Sequence, residues 1–201
     1  MTIRNLNFAV QPKSVGVIGA SLRQGSVGNI VIQNIIDAGF EGQVFAVNPK
    51  YREVAGLKCH RRVSDLPAAP DLAIIVTPAI TVPAIISELG KKGTRAAVVI
   101  TAGLTRDNGL RQAMLDAAKP YLFRVIGPNT LGLMIPRMKL NASFAHMAAK
   151  PGEIALLSQS GAIATSLVDW AADKGIGFSH IVSLGDMADV DVGDYLDVLA
   201  A

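Results

Sequence analysis

Short apolar runs alternate with helical repeats along the first two thirds of this 201-residue chain. The runs are apolar nearly throughout, instead of alternating with polar residues, which is typical of parallel strands buried on both faces. Five of them lie at 14–19, 43–49, 71–79, 95–103 and 123–127. They predict the strands of one buried parallel sheet.

The segments between these runs repeat their apolar residues at helical spacing. One repeat starts at Ser26 and is stopped by Gly39. Another contains Pro83 in its first turn, where proline is tolerated, and a third covers 107–118. Strands alternating with helices predict an α/β fold whose sheet is covered on both faces.

The pattern changes after the fifth strand. Residues 128–150 are predicted to be a long connection with a short strand near "LNASF" (140–144). Two strands and two helices then follow. The strands lie at 153–158 and 179–185, and the second helix lies around 194–201. The first helix carries on one face Ile163, Ser166, Leu167, Trp170 and Ala171. So small a unit buries too little surface for a complete domain, so we expect a fragment that continues past Ala201.

Composition narrows the class of protein. Half of the residues are hydrophobic and 17% are charged, which is typical of a packed domain. The single cysteine, Cys59, excludes an internal disulfide framework and favours the cytoplasm. The longest uncharged apolar run, 72–86, is too short for a membrane span and contains two prolines. We therefore expect neither a signal peptide nor a membrane partner.

Charge is distributed unevenly. Residues 1–150 carry 18 lysines and arginines against 8 acids, whereas residues 151–201 carry 1 against 8. The excess of cations predicts that the first part holds an anion, and the shift indicates a boundary near 150–152. The basic residues are scattered without interleaved aromatics, so nucleic acid is not an expected partner.

Ligands of parallel sheets bind beyond the carboxyl ends of the strands. The segments that follow the five strands begin at Gly19, Asn48, Thr77, Thr101 and Gly127. They are predicted to share one rim of the sheet. The first segment leads into the helix at Ser26, whose first-turn amides favour a phosphate.

The first segment differs from a dinucleotide-binding turn. Its glycines are Gly19, Gly25 and Gly28. Their spacing is looser than G-x-G-x-x-G, and Ser21 stands where the second glycine belongs. An NAD site also expects an acid after the second strand, where this chain has Asn48, Pro49 and Lys50. A lysine there suits a ribose phosphate, which NADP and coenzyme A (CoA) both carry.

The other candidates for chemistry are weaker. "SQSG" (158–161) is interpreted either as a helix cap or as a second phosphate site, and position alone leaves both open. Cys59 beside His60 is weak evidence of catalysis. The three histidines have no spacing typical of a metal set or a catalytic triad. The acids from Asp186 onward fit no calcium loop. We therefore predict no catalytic residue and no metal site.

Several motifs together resemble a known family. They are "GASLRQGSVG", "VNPKY", "VTPA", "ITAG", "GPNTLGLM", "LNASF" and "LLSQSGAIATSLVDWA", in this order. The chain resembles the N-terminal part of the NDP-forming acyl-CoA synthetases, which are similar to the succinyl-CoA synthetase α subunit. The resemblance implies a Rossmann-like, doubly wound CoA-binding domain at 1–130 and a connection at 131–150. The first half of a flavodoxin-like α/β ligase domain is implied at 151–201.

The resemblance also implies contacts to CoA or acyl-CoA. The implied residues are Gly19, Ser21, Gly25, Ser26, Val27, Gly28, Asn48, Pro49, Lys50, Thr77, Pro78, Ala79 and Asn129. Lys50 would face the phosphates, whereas Asn129 and residues 77–79 would lie along the pantetheine arm. Ser158, Ser160 and Gly161 match a helix start that cradles the phosphoryl group of a catalytic histidine. None of His60, His146 and His180 matches that histidine.

The implied activity is that of an ADP-forming acyl-CoA (acetate–CoA) ligase whose phosphohistidine lies outside this chain. ATP, ADP and Mg²⁺ would then be bound elsewhere, in an ATP-grasp domain or subunit, and a homo-oligomer stays open. As an alternative, "LNASF" and "LGDMADVDVGDYLDVLA" are similar to the acyl-CoA-sensing region of GNAT-fused protein lysine acetyltransferases. An NADP-dependent oxidoreductase is a third hypothesis, against which the longer glycine turn speaks.

Overall fold

The computed structural model describes residues 3–201 in two sheets, so the first two residues of the predicted domain 1–130 lie outside it. Seven strands form the first sheet: β1 Ser14–Ile18, β2 Gln43–Val47, β3 Glu53–Val54, β4 Leu57–His60, β5 Leu72–Ile75, β6 Ala96–Val99 and β7 Arg124–Ile126. Their order is β3-β4-β2-β1-β5-β6-β7, and every pair except β3–β4 is parallel. The predicted α/β class with a doubly wound parallel sheet is confirmed.

Six α-helices accompany the sheets in the described part of the chain. They are α1 Asn7–Val10, α2 Val27–Asp37, α3 Val82–Lys92, α4 Leu110–Ala118, α5 Gly161–Asp173 and α6 Val192–Ala200. The predicted start of α2 is confirmed, since the Ser26 hydroxyl accepts from the Asn29 N–H at 3.3 Å. The prediction for α4 was three residues too early. The Asn108 side chain closes the loop before it by accepting from the N–H groups of Thr105 and Leu110.

The second sheet contains β8 Gly132–Ile135, which the sequence pattern missed, and β9 Leu140–Ser143, which matches the short strand predicted near 140–144. Its other strands are β10 Pro151–Ser158 and β11 Phe178–Ser183, and the order is β10-β11-β8-β9. β10 and β11 are parallel, whereas the β8–β9 hairpin adds antiparallel strands to β11. The segment predicted as a connection therefore supplies half of this sheet. Pro136 limits β8 to four residues, too few for a clear signal. The domain limits stay a prediction.

The two sheets share one hydrophobic core. Val182 of β11 and Leu133 of β8 belong to the same buried cluster as Val15 and Ile74 of the first sheet. Polar groups also join them, since the Asn34 side chain of α2 donates to the carbonyl oxygens of Ser143 and Ala145, at 2.9 Å each. The rim of the first sheet and the turn before α5 are therefore held together by packing.

Candidate functional site

The chain order reverses direction at β1, because β2 lies on one side of it and β5 on the other. In open parallel sheets, the crevice beyond the carboxyl ends of such strands is the usual ligand site. Here the crevice lies between the segments that begin at Gly19 and Val76. A Cβ on Gly19, which has φ +104°, would lie 2.9 Å from a Val76 methyl group, so the two segments nearly touch.

The turn from Gly19 to α2 is held by its own hydrogen bonds. The Ser21 hydroxyl accepts from the Arg23 N–H at 3.0 Å, and the Ser26 hydroxyl donates to the Arg23 carbonyl at 2.7 Å. A Cβ on Gly28 would lie 2.1 Å from the Gly19 carbonyl oxygen. Only glycine at 28 lets the first turn of α2 approach β1 this closely. The turn therefore presents the start of α2 to the crevice.

Asn48 connects this turn to the end of β2. Its side-chain nitrogen donates to the Ala20 carbonyl at 2.8 Å, and its side-chain oxygen accepts from the Lys50 N–H at 3.0 Å. Both polar ends of the Asn48 side chain thus bond to protein backbone. Lys50 is exposed, and its backbone is positioned by Asn48.

A cavity of about 770 Å³ opens beyond β4, β2, β1 and β5. Four cationic side chains line it: Arg23, Lys50, Arg61 and Arg62. None of the four makes a side-chain hydrogen bond or ion pair with any other residue in the described range 3–201. Glu88 is the acid among its lining residues. Such a surplus of positive charge favours an anionic ligand.

A second cavity, of about 920 Å³, lies beyond β5, β6 and β7 and reaches the start of α5. It shares Val27, Val76, Thr77 and Pro78 with the first cavity, so the two form one cleft. Its polar lining includes Thr101, Asn129 and Ser160, and Phe144 adds an exposed ring. No charged side chain is found among its described lining residues. The cleft is therefore cationic at one end and neutral at the other.

The structure brings most of the predicted residues to this cleft. The first cavity is lined by Gly19, Ser21, Ser26, Val27, Gly28, Asn48, Pro49, Lys50, Thr77 and Pro78, and the second by Asn129, Ser160 and Gly161. Gly25, Ala79 and Ser158 line neither cavity. The sequence analysis missed Arg23, Tyr51, Arg61, Arg62 and Phe144, which do line the cleft.

The start of α5 repeats the arrangement at the start of α2. Ser160 is the N-cap, and its hydroxyl accepts from the Ile163 N–H at 3.4 Å. The Ser158 hydroxyl donates to the Ser160 carbonyl and accepts from the Ser160 N–H, so it stabilises the turn and does not face the cavity. The first amides of a helix have no partner within the helix. The start of α5 therefore offers hydrogen-bond donors to the neutral end of the cleft.

The other candidates for chemistry do not line the cleft. Cys59 is buried, and its burial raises the pKa of the thiol, so it is a poor nucleophile. His60, His146 and His180 line neither cavity. Among residues 3–201, no cluster of three or more His, Cys, Asp or Glu side chains is arranged to hold a metal ion. The helices of that range are too short or too polar to cross a membrane.

The fold is that of a Rossmann-like protein, and the cleft lies along the switch-point edge of its sheet, where ligands of such folds usually bind. Residues 13–136 match the family model described as CoA binding domain. The chain therefore belongs to the CoA-binding domain family. Residues 151–201 match a second model, described as succinyl-CoA ligase like flavodoxin domain. Both matches confirm the resemblance to the NDP-forming acyl-CoA synthetases.

The chain is also similar to individual proteins that are named as ligases or synthetases. The chain is 42% identical over 194 residues to acetate–CoA ligase [ADP-forming] of Methanocaldococcus jannaschii, and 44% identical to acetate–CoA ligase [ADP-forming] I of Archaeoglobus fulgidus. These matches cover 96% and 94% of the chain, but only 27% and 28% of the relatives' own length. The solved apo form of the dinucleotide forming acetyl-coenzyme A synthetase 1 of Ca. Korarchaeum cryptofilum superposes with a TM-score of 0.91 at 37% identity. That superposition covers 96% of this chain and 43% of the other.

Proposed function

We propose that the cleft binds CoA or acyl-CoA along the rim of the first sheet, with the phosphates at the cationic end and the thiol at the neutral end. The observation that carries this proposal is the division of one continuous cleft into a cavity with four cations and a cavity with none. CoA has the same division, since its nucleotide half carries all the phosphates and its pantetheine arm is uncharged.

The length of the cleft fits an extended ligand. It runs from β4 to β7, which are five strand spacings apart in the sheet order. At about 4.8 Å per spacing, the rim is roughly 24 Å long. In this arrangement the start of α2, with Ser26 as its cap, and Lys50 face the phosphates. Thr77, Pro78 and Asn129 follow the arm, and Gly19 and Gly28 let α2 begin close to β1, so that its first turn faces the phosphates.

The activity of the whole protein is the second part of the proposal. We infer that the chain acts in an ADP-forming acyl-CoA ligase, as the names of its relatives indicate. The start of α5, with Ser160 and Gly161, would hold a phosphoryl group next to the thiol end of CoA. None of the three histidines lines the cleft, so the phosphorylated histidine of such a ligase would come from elsewhere in it. An ATP-grasp domain or subunit would bind ATP, ADP and Mg²⁺.

We also propose that the CoA-binding domain ends at residue 130, that the ligase domain begins at residue 151, and that the protein is cytoplasmic.

Some relatives bear the name subunit alpha, which supports a partner subunit. A lysine acetyltransferase and an NADP-dependent oxidoreductase are less well supported, because the relatives named above are ligases or synthetases that act on CoA.

Calorimetric titration of the chain with CoA, dephospho-CoA and NADP tests the proposed ligand. We expect CoA to bind most tightly. Lys50→Ala should weaken CoA binding by about 1–3 kcal/mol, the range for losing a hydrogen bond to a charged group. Lys58→Ala is the matched control, since Lys58 is also exposed but lies outside both cavities. Tighter binding of NADP than of CoA would contradict the proposal.

A further inference from the structure

Two neighbouring arginines, Arg61 and Arg62, follow β4 and line the cationic cavity. No hydrogen bond or ion pair links either guanidinium to another residue within 3–201. The four cations of this cavity come from three different segments: the turn after β1, the turn after β2 and the segment after β4. The arginine pair comes from the outermost of these, because β4 lies beyond β2 in the sheet order.

The backbone that carries the pair is fixed to the rest of the rim. The Asn48 N–H donates to the His60 carbonyl at 2.9 Å, which continues the parallel pairing of β2 with β4. Arg61 follows His60 directly. On the other side, Val63 is 2% exposed and belongs to the core beside β2. The two arginines are therefore presented from a short segment anchored at both ends, next to Asn48 and Lys50.

The outer position of the pair identifies the phosphate that it would meet. The thiol end of the ligand points towards β6, β7 and α5 in the proposed function, on which this inference rests. The phosphate on the ribose lies at the other half of CoA. We propose that Arg61 and Arg62 bind this phosphate monoester and make the site selective for CoA over dephospho-CoA. A guanidinium suits this task because its planar N–H groups bond two phosphate oxygens at once.

In this assignment, the four cations bind two different groups of the ligand. Arg23 lies in the turn between β1 and α2, and Lys50 follows β2, the strand next to β1, so both come from segments beside the helix start that faces the diphosphate. The arginine pair adds a separate site for the additional phosphate. Loss of the pair should therefore change the preference between two ligands that differ only by that phosphate, and not merely the overall affinity.

Titration of the double variant Arg61→Ala/Arg62→Ala with CoA and with dephospho-CoA tests the proposal. We expect the affinity for CoA to fall about tenfold or more, as for the loss of charge-assisted hydrogen bonds. The affinity for dephospho-CoA should fall less than about threefold, because only screened long-range charge is lost. Arg106→Ala is a control, since Arg106 is exposed and lines neither cavity.

A second variant, Arg61→Lys/Arg62→Lys, keeps the charge but not the planar fork. We expect it to lose part of the preference for CoA, which a purely electrostatic role would leave intact. Equal weakening of CoA and dephospho-CoA in the alanine variant, or no weakening at all, would overturn the inference and leave the proposed function standing. If the unsubstituted chain binds NADP but not CoA, the inference and the proposed function are both overturned. The arginine pair would then be assigned to the 2′-phosphate of NADP.

Discussion

The two sheets bury their parallel strands to very different extents. Every residue of β5 and β6 in the first sheet is buried. In the second sheet, half of the residues of β10 are exposed, including Ile154 at 53%. The helix that follows β10 also exposes Ile163 at 57% and Trp170 at 56%. The packing that supports the ligand rim therefore lies mainly in the first sheet and in the strands of the second sheet that share its core.

The two helix starts at the cleft differ in the charge around them. Ser26 and Ser160 cap α2 and α5 in the same way, by accepting from the N–H three residues later. Yet cations surround only the first, and the described lining of the second cavity has none. A capped helix start is thus common to both regions, whereas the selection of a highly charged ligand belongs to the first.

The ion pairs between the first sheet and the segment that carries α6 should show the largest effect. Arg124 at the start of β7 contacts Asp189 at 3.0 Å and Asp194, in the first turn of α6, at 2.9 Å. Arg124→Met would leave the buried Asp194 carboxylate without this partner, and we expect the free energy of unfolding to fall by about 3–5 kcal/mol. Chemical denaturation measures this loss.

Arg137→Met is the matched control for Arg124. Arg137 forms an ion pair with Glu153, but both side chains are mostly exposed. Solvent screens such a pair, so its loss should change the free energy of unfolding by less than about 1 kcal/mol. Equal effects of the two substitutions would show that the ion pairs of Arg124 do not hold α6 against the first sheet.

The next largest effect is expected from the same substitution made once in each sheet. Ile74 of β5 is completely buried, and Ile74→Ala should lower the free energy of unfolding by about 2–5 kcal/mol. Ile154→Ala on β10 removes the same atoms from a side chain that is 53% exposed, so we expect a change within about 0.5 kcal/mol. Equal losses, measured by denaturation of the two variants, would remove the distinction between the sheets.

The sequence predicts the strands of the first sheet best, for the same reason that they are stable. β1, β5 and β6 are continuous apolar runs, and burial on both faces requires such runs. β4 has a lysine and a histidine among four residues and was missed. Because the rim was assembled from the ends of predicted strands, missing β4 also meant missing Arg61 and Arg62. The predicted site was thus incomplete because the predicted sheet lacked a strand.

The hairpin in the second sheet shows a different limit. β8, the strand of the hairpin that was not predicted, has four residues and pairs with β11, almost fifty residues later in the sequence, whereas β9 pairs with β8. A Cβ on Gly132 would lie 2.3 Å from the Ala142 carbonyl oxygen, so this glycine permits the close approach of the two strands. Neither the long-range pairing nor the close approach leaves a periodic pattern in a single sequence.

The smallest effect concerns a contact between β11 and the N-terminal helix. The His180 Nε2 atom lies 3.3 Å from the Val10 carbonyl oxygen, and Nδ1 is buried without a partner among the described residues. Burial lowers the pKa of His180 below its ordinary value of 6.5, against the opposing effect of the Val10 carbonyl. The folded protein therefore takes up this proton at a lower pH than the unfolded chain does.

The sign of the pH dependence follows from this difference. The contribution of neutral His180 is complete above pH 6.5 and is lost as the pH falls through the folded pKa. Loss of this contribution should lower the free energy of unfolding by no more than about 1.4 kcal/mol per pH unit. His180→Gln should flatten this part of the fall in denaturation curves between pH 7 and pH 5. If His180→Gln leaves the profile unchanged, the contact between β11 and α1 is open to water, and the second sheet is less firmly packed on the first than its shared core indicates.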